Sequence, residues 1–301
     1  MNTIETLKKN KEKKSIAAKV FLALFLIPWI IDVCIFKIYP FLYGIVVSFF
    51  NVSYTKMNFV GFDNYALTFK QPLFWGALWA TVKICLITIP VIVVGAILIS
   101  FGIHRASKKF KSLTKIILYL PAVTSEIILA IVWKHMFNTS YGLSASICNK
   151  LGIEPIHWLT DAKITIPLVG VLVASMCIAQ PVILLSSAID NVSNSYFEAA
   201  ELDGANRLQK LIYITLPAIK PTISFVLITT TIANLQVFYI PFLVTGGGPE
   251  NKTVTVLYLI YKNAFEYGKY GLADAQGMIL FFVIGALVLM QYKLTKAGRF
   301  E

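Results

Sequence analysis

GALWATVKICLITIPVIVVGAILISFGI, residues 76–103, carries one charged side chain, Lys83, in twenty-eight positions. A helix rises about 1.5 Å per residue, so a run of about 20 apolar residues spans the ~30 Å hydrocarbon core of a bilayer. Hydrocarbon offers the backbone no hydrogen-bonding partner, so such a run must satisfy its own amides as a helix. Outward from it, runs of the same character recur at 16–38, 114–137, 164–190, 222–243 and 274–294. They are rich in Ile, Val and Leu without strict alternation, which argues against a membrane barrel. The chain is 57% hydrophobic and 14% charged, against roughly 45–50% and about 25% for soluble domains. The expected class is all-α, a polytopic membrane protein with six transmembrane helices.

The formal net charge of +12 follows topology. Six lysines lie in the tail up to Lys19, five Lys or Arg in 104–115, three in 191–220 and three in the C-terminal tail (Lys293, Lys296 and Arg299); the alternate loops 37–75, 134–163 and 245–273 hold three each. Positive charge concentrates on the cytoplasmic side, so both termini are expected there. No aromatic-basic motif accompanies the charge, so no nucleic-acid partner is expected. Residues 1–15 read as a cytoplasmic basic tail near anionic membrane lipid, and 16–301 as a single transmembrane domain. The first run is too long for a signal peptide and lacks an Ala-x-Ala site. The cysteines Cys34, Cys85, Cys148 and Cys177 show neither disulfide nor metal spacing. Tyr39–Trp79, aromatic-rich with Pro40 and Pro72, reads as an outer cap with an amphipathic piece.

The cytoplasmic loop 191–220 reads NVSNSYFEAAELDGANRLQKLIYITLPAIK. Ser195-x-x-Glu198 predicts a capping box opening a helix. Gly204 permits a sharp turn, and a second helical stretch is expected from about Asn206. Pro217 and Pro221 end it and set the direction of the fifth span. The product is a helix-Gly-helix elbow on the inner membrane face. Such an elbow either caps the bundle or receives a cytoplasmic motor, with Glu198 offering an anion to a partner Arg.

Glu198-Ala199-Ala200-x-x-x-Gly204, followed after nine residues by Ile214-x-Leu216-Pro217, resembles the EAA signature of bacterial binding-protein-dependent import permeases. The stretches NFVGFDNY (58–65), YLPAV (119–123), VWKHMFN (132–138), HWLTD (157–161), LQVF (235–238) and LVTGGGP (243–249) are similar to its sugar-uptake branch, which includes the maltose and glycerol-3-phosphate permeases. The resemblance covers about residues 17–295. It implies a type I ABC importer permease fold in a bacterial plasma membrane. It also implies that the elbow docks in a groove on an ATPase subunit through Glu198, with Ala199, Ala200, Asp203, Gly204, Ile214, Leu216 and Pro217 completing the coupling element. The implied partners are a second homologous permease, two ATPase subunits holding ATP and magnesium, and an extracytoplasmic binding protein delivering sugar. This chain would bind no cofactor and hydrolyse nothing.

Ionisable groups inside spans default to functional candidates. Glu126 lies in the third run one turn after Pro121, and the resemblance places it where the maltose permease has a sugar-contacting hydroxyl. Thr229, Ile232 and Gln236 recur at spacings of three and four on the fifth run and fall on the family's sugar-lining positions, as do Cys177 and Gln180 in the fourth. Pro181 frees backbone groups beside Gln180. Interhelical polar pairing is the alternative for each. Phe238 or Tyr239 could stack on a sugar face.

Two further readings stay open. A polyol phosphate such as glycerol-3-phosphate would need a cation facing the cavity, and only Lys83 qualifies. A stand-alone channel or secondary carrier would want a relay of buried acids or half-helix repeats. Gly246–Thr253 mimics a phosphate loop but lacks the strand-to-helix context, and reads instead as an outer loop gating the mouth or meeting a binding protein. His104, His135 and His157 have no metal-ligand spacing, and no nucleophile motif is present.

Overall fold

The computed structural model describes residue 24 and residues 26–53 and 56–296. The expected basic tail, 1–15, lies outside them. Among the described residues, three helices are each long and apolar enough to cross a membrane: α1 (Leu26–Val47), α3 (Pro72–His104) and α13 (Tyr270–Lys296). Three bent pairs bring the number of candidate spans to six. They are α4 (Lys108–Val123) with α5 (Glu126–Met136), bent by 96°; α7 (Ala162–Cys177) with α8 (Ala179–Asp190), by 53°; and α10 (Arg207–Ala218) with α11 (Lys220–Leu235), by 76°. Short helices α2 (Asp63–Lys70), α6 (Leu143–Lys150), α9 (Asn194–Leu202) and α12 (Val256–Tyr261) fill the connections.

Three expectations of extent change. The first span runs on to Val47, through Pro40. Cys34–Ile38 forms a π turn immediately before it, and the wider turn makes room for the proline ring over the carbonyl four residues back. The fifth span stops being helical at Leu235; Gln236–Phe238 are irregular before a π turn at Pro241–Thr245. The outer cap holds a two-stranded hairpin, β1 (Phe50–Ser53) and β2 (Lys56–Phe59), antiparallel with Phe50 opposite Phe59. Among the described residues the fold is thus helical with one small strand pair.

Helix α3 is the mast. Small and hydroxylated residues let its neighbours approach closely, the usual device where lipid removes the hydrophobic drive between helices. Thr88 Oγ1 donates to the Gly170 carbonyl of α7 at 3.1 Å, and Ser100 Oγ to the Val182 carbonyl of α8 at 3.0 Å. A Cβ on Gly170 would lie 2.8 Å from Ile87. Ala96, Val182, Leu185, Ile189, Ile219 and Val226 form the core where α3, α8 and α11 meet. The polar groups Asn263, Gln276 and Gln71 link in a buried chain of hydrogen bonds at the outer end.

Candidate functional site

The bends assemble a cavity. Helix α4 ends at Val123, where Thr124 turns extended, and α5 restarts at Glu126, whose carboxylate therefore sits in a helix first turn, a favourable place for an anion. In the fourth span Pro181 has no N–H to give the Cys177 carbonyl, which loosens the helix there; α7 ends at Cys177 and α8 begins at Ala179. These two breaks and one face of α11 enclose a cavity of about 590 Å³ lined by Glu126, Cys177, Gln180 and Thr229 among others.

The α11 contribution is Val226, Thr229, Thr230, Ala233 and Asn234, a stripe at the i, i+3, i+4, i+7, i+8 spacing of one helix face. Ile232 and Gln236, expected beside Thr229, do not line it. Ile232 is rotated away from this stripe, and Gln236 lies past the helix end, its amide donating to the Ile232 carbonyl at 3.2 Å. Asn234 takes their place. It is 1% exposed, its amide donates to the Thr230 carbonyl at 2.8 Å, and its buried Oδ1 has no hydrogen bond among the described residues. Tyr119 and Pro121 bring the end of α4 to the same wall. No Lys, Arg or His is among the lining residues; Lys83 is exposed on α3, outside the cavity.

The second element is the elbow. Helix α9 starts at Asn194, with Ser193 as its N-cap and no side-chain cap bond; Ser193 Oγ instead pairs with Ser195 Oγ at 2.8 Å. The capping box expected at Ser195 and Glu198 is therefore not formed, because the helix begins ahead of Ser195. The box belongs to α10: Gln209 N donates to Asn206 Oδ1 at 2.9 Å and Asn206 N to Gln209 Oε1 at 2.7 Å. Gly204 sits at φ +73°. Its N–H bonds the Glu201 carbonyl and the Ala205 N–H the Ala200 carbonyl, at 3.1 and 2.8 Å. That is a Schellman ending, in which a left-handed glycine caps the helix without a Cβ penalty. Glu198 and Asp203 are exposed, with Ala200, Ile214 and Leu216 half-buried. Leu202 is 90%, Tyr213 75% and Leu208 63% exposed, large apolar side chains on the same elbow as the exposed Glu198.

Residues 66–295 match the family model described as the binding-protein-dependent transport system inner membrane component. The chain belongs to that family. The permease is 33% identical over 284 residues to the multiple sugar-binding transport system permease protein MsmF of Streptococcus mutans, covering 90% of this chain and 93% of that one. It is 28% identical over 280 residues to the arabinooligosaccharides transport system permease protein AraP of Bacillus subtilis, covering 92% and 89%. A solved bacterial ABC transporter involved in the import of the acidic polysaccharide alginate shares 25% identity and a TM-score of 0.83, over 95% of this chain and 99% of that one. The expected type I permease fold is therefore present, and the chain is an inner-membrane transport component.

Within this permease, Phe238 packs in an aromatic cluster, its ring 5.0 Å from Phe242 and 5.1 Å from Tyr261. Neither it nor Tyr239 lines the cavity. The glycine-rich loop is fixed by Thr253, whose hydroxyl donates to the Gly248 carbonyl at 2.7 Å. Lys252, by hydrogen bonding and by charge, holds the Glu250 carboxyl below the usual carboxylate range.

Proposed function

We propose that this permease joins a second permease subunit to enclose a pathway for a neutral oligosaccharide. Two ATPase subunits dock on the elbows from the cytoplasm and carry the ATP and magnesium; an extracytoplasmic binding protein delivers the sugar. The reading of the ligand rests on the cavity chemistry. Gln180 and Thr229 offer both donors and acceptors to hydroxyl groups, while Glu126 is the one charged residue of the wall. An anionic ligand would meet a carboxylate and no cation, which disfavours phosphates and polyuronates. A permease also needs modest binding, since the ligand must leave. A few neutral hydrogen bonds suit that better than a clamp of charges.

The exposed Leu202, Leu208 and Tyr213 on the elbow that carries Glu198 support the docking assignment, since exposed apolar surface rimmed by polar residues marks a protein interface. Alternating access then follows as a rigid-body switch of the cavity.

The test is uptake into proteoliposomes holding both permeases, the ATPase and the binding protein. Radiolabelled arabinotriose and lactose serve as neutral probes and an alginate trisaccharide as an acidic one. ATP-dependent accumulation of a neutral probe, with exclusion of the acidic one, is expected. Preferential accumulation of the acidic trisaccharide would overturn the ligand class. In Gln180→Ala the half-saturating concentration of the transported sugar should rise about fivefold, the loss of roughly one hydrogen bond.

A further inference from the structure

The signature glutamate faces away from the bundle, but a second acid of α9 faces into it. Glu201 accepts hydrogen bonds from Arg105, which caps the cytoplasmic end of α3, and from Lys210 Nζ of α10 at 2.9 Å. Phe197 lies one turn earlier on the same face and is 2% exposed. Its ring is 5.3 Å from the His104 ring, with the Arg105 guanidinium carbon 5.9 Å from its centroid. These groups line one cytoplasmic cleft of about 470 Å³. The same corner is tied to the fourth span: His104 Nδ1 and Lys111 Nζ lie 2.9 and 3.0 Å from Asp190 Oδ1, at the end of α8. From this corner α4 runs to the cavity, where Tyr119, Pro121 and Ala122 form part of the wall.

We propose that Glu201 is a positioning residue that bolts the elbow to the α3–α4 corner, so that movement of the docked elbow reaches the cavity wall along α4 as well as through α11. This deepens, and rests on, the docking of an ATPase to the elbow. Lys210 and Arg105 hold the Glu201 carboxyl below the usual carboxylate range. A depressed carboxyl keeps its pairs as pH falls through the ordinary range and loses them only below it. The Glu201 side chain is 44% exposed, and exposed ion pairs contribute little to stability. The bolt therefore matters for transmission rather than for folding, and removing it should leave the fold and the docking face intact.

Cys177 is a native reporter, exposed at the cavity, while Cys85 and Cys148 are buried. In the assembled complex carrying Cys34→Ser, the rate of Cys177 modification by a charged methanethiosulfonate reagent is measured with and without ATP–Mg and vanadate. In the parent an ATP-dependent change of about fivefold or more is expected. In Glu201→Gln that change should collapse toward unity, while ATPase subunits still co-purify and the thermal midpoint is unchanged. Exchanging the charges, Arg105→Glu with Glu201→Arg, should restore at least part of it. Should Glu201→Gln fail to fold, Arg105→Gln breaks the same pair and is scored the same way. An undiminished ATP-dependent change in a variant without the pair overturns the inference alone, as does loss of ATPase binding in a folded Glu201→Gln, which would make Glu201 a docking residue. A parent chain that binds no ATPase overturns the docking beneath it and the inference together.

Discussion

Glu198→Arg is expected to strip the ATPase subunits from the purified complex and to abolish ATP-driven uptake. The carboxylate is exposed and has no ion pair among the described residues, on an elbow that also exposes Leu202, Tyr213 and Leu208, so it can meet a cation on a docked partner. Removing one member of a desolvated interface ion pair costs about 2–5 kcal/mol, or roughly 30-fold and more in affinity, and a reversed charge adds repulsion. Because the Glu198 side chain is exposed and makes no ion pair or hydrogen bond among the described residues, the variant should insert and unfold like the parent. Co-purification at matched expression measures the effect; ATPase retained at the parental level would remove Glu198 from the interface.

Gly271→Ala should instead break the fold. Gly271 opens α13 against the outer hairpin, and a Cβ there would sit 1.8 Å from the Phe50 carbonyl oxygen and 3.0 Å from Asn64 Nδ2. Backbone cannot retreat as a side-chain tip can. The Phe50 carbonyl is also held by Asn64, whose side-chain amide donates to it at 2.9 Å. Overpacking of this kind costs about 3 kcal/mol or more. Gly277→Ala, on the same helix with nothing within 4 Å of its Cβ, is the control. It should be neutral or slightly stabilising, since alanine favours a helix interior by up to about 1 kcal/mol over glycine. Thermal unfolding in detergent should separate the two; equal midpoints would mean that α13 does not pack on the hairpin as described.

The six spans were legible because the cost of an unpaired amide in hydrocarbon acts locally, over about 20 residues at a time. Their breaks were not. Pro121 announces a disturbance, yet α4 continues through it and ends at Val123, since where a helix yields depends on the neighbours that receive its freed groups. The hairpin at 50–59 escaped because its aromatic pairing, Phe50 against Phe59, looks in sequence like any membrane-interface cluster. Of the residues expected along the substrate path, Glu126, Cys177, Gln180 and Thr229 line the cavity, while Ile232 and Gln236 do not. Asn234 was the available signal, an amide in an apolar span four residues after Thr230. In the elbow, Gly204 and the second helix at Asn206 were readable from turn and cap chemistry. Glu201 was not, because its partner Arg105 is 96 residues away.

The most direct measurement is solute accumulation by proteoliposomes containing the two permeases and the binding protein, assembled with and without the ATPase subunits. Accumulation of the neutral probe only when the ATPase and ATP are both present, and its loss in Glu198→Arg, is the expected result. Uptake that continues without any ATPase, down a solute or proton gradient alone, would contradict it.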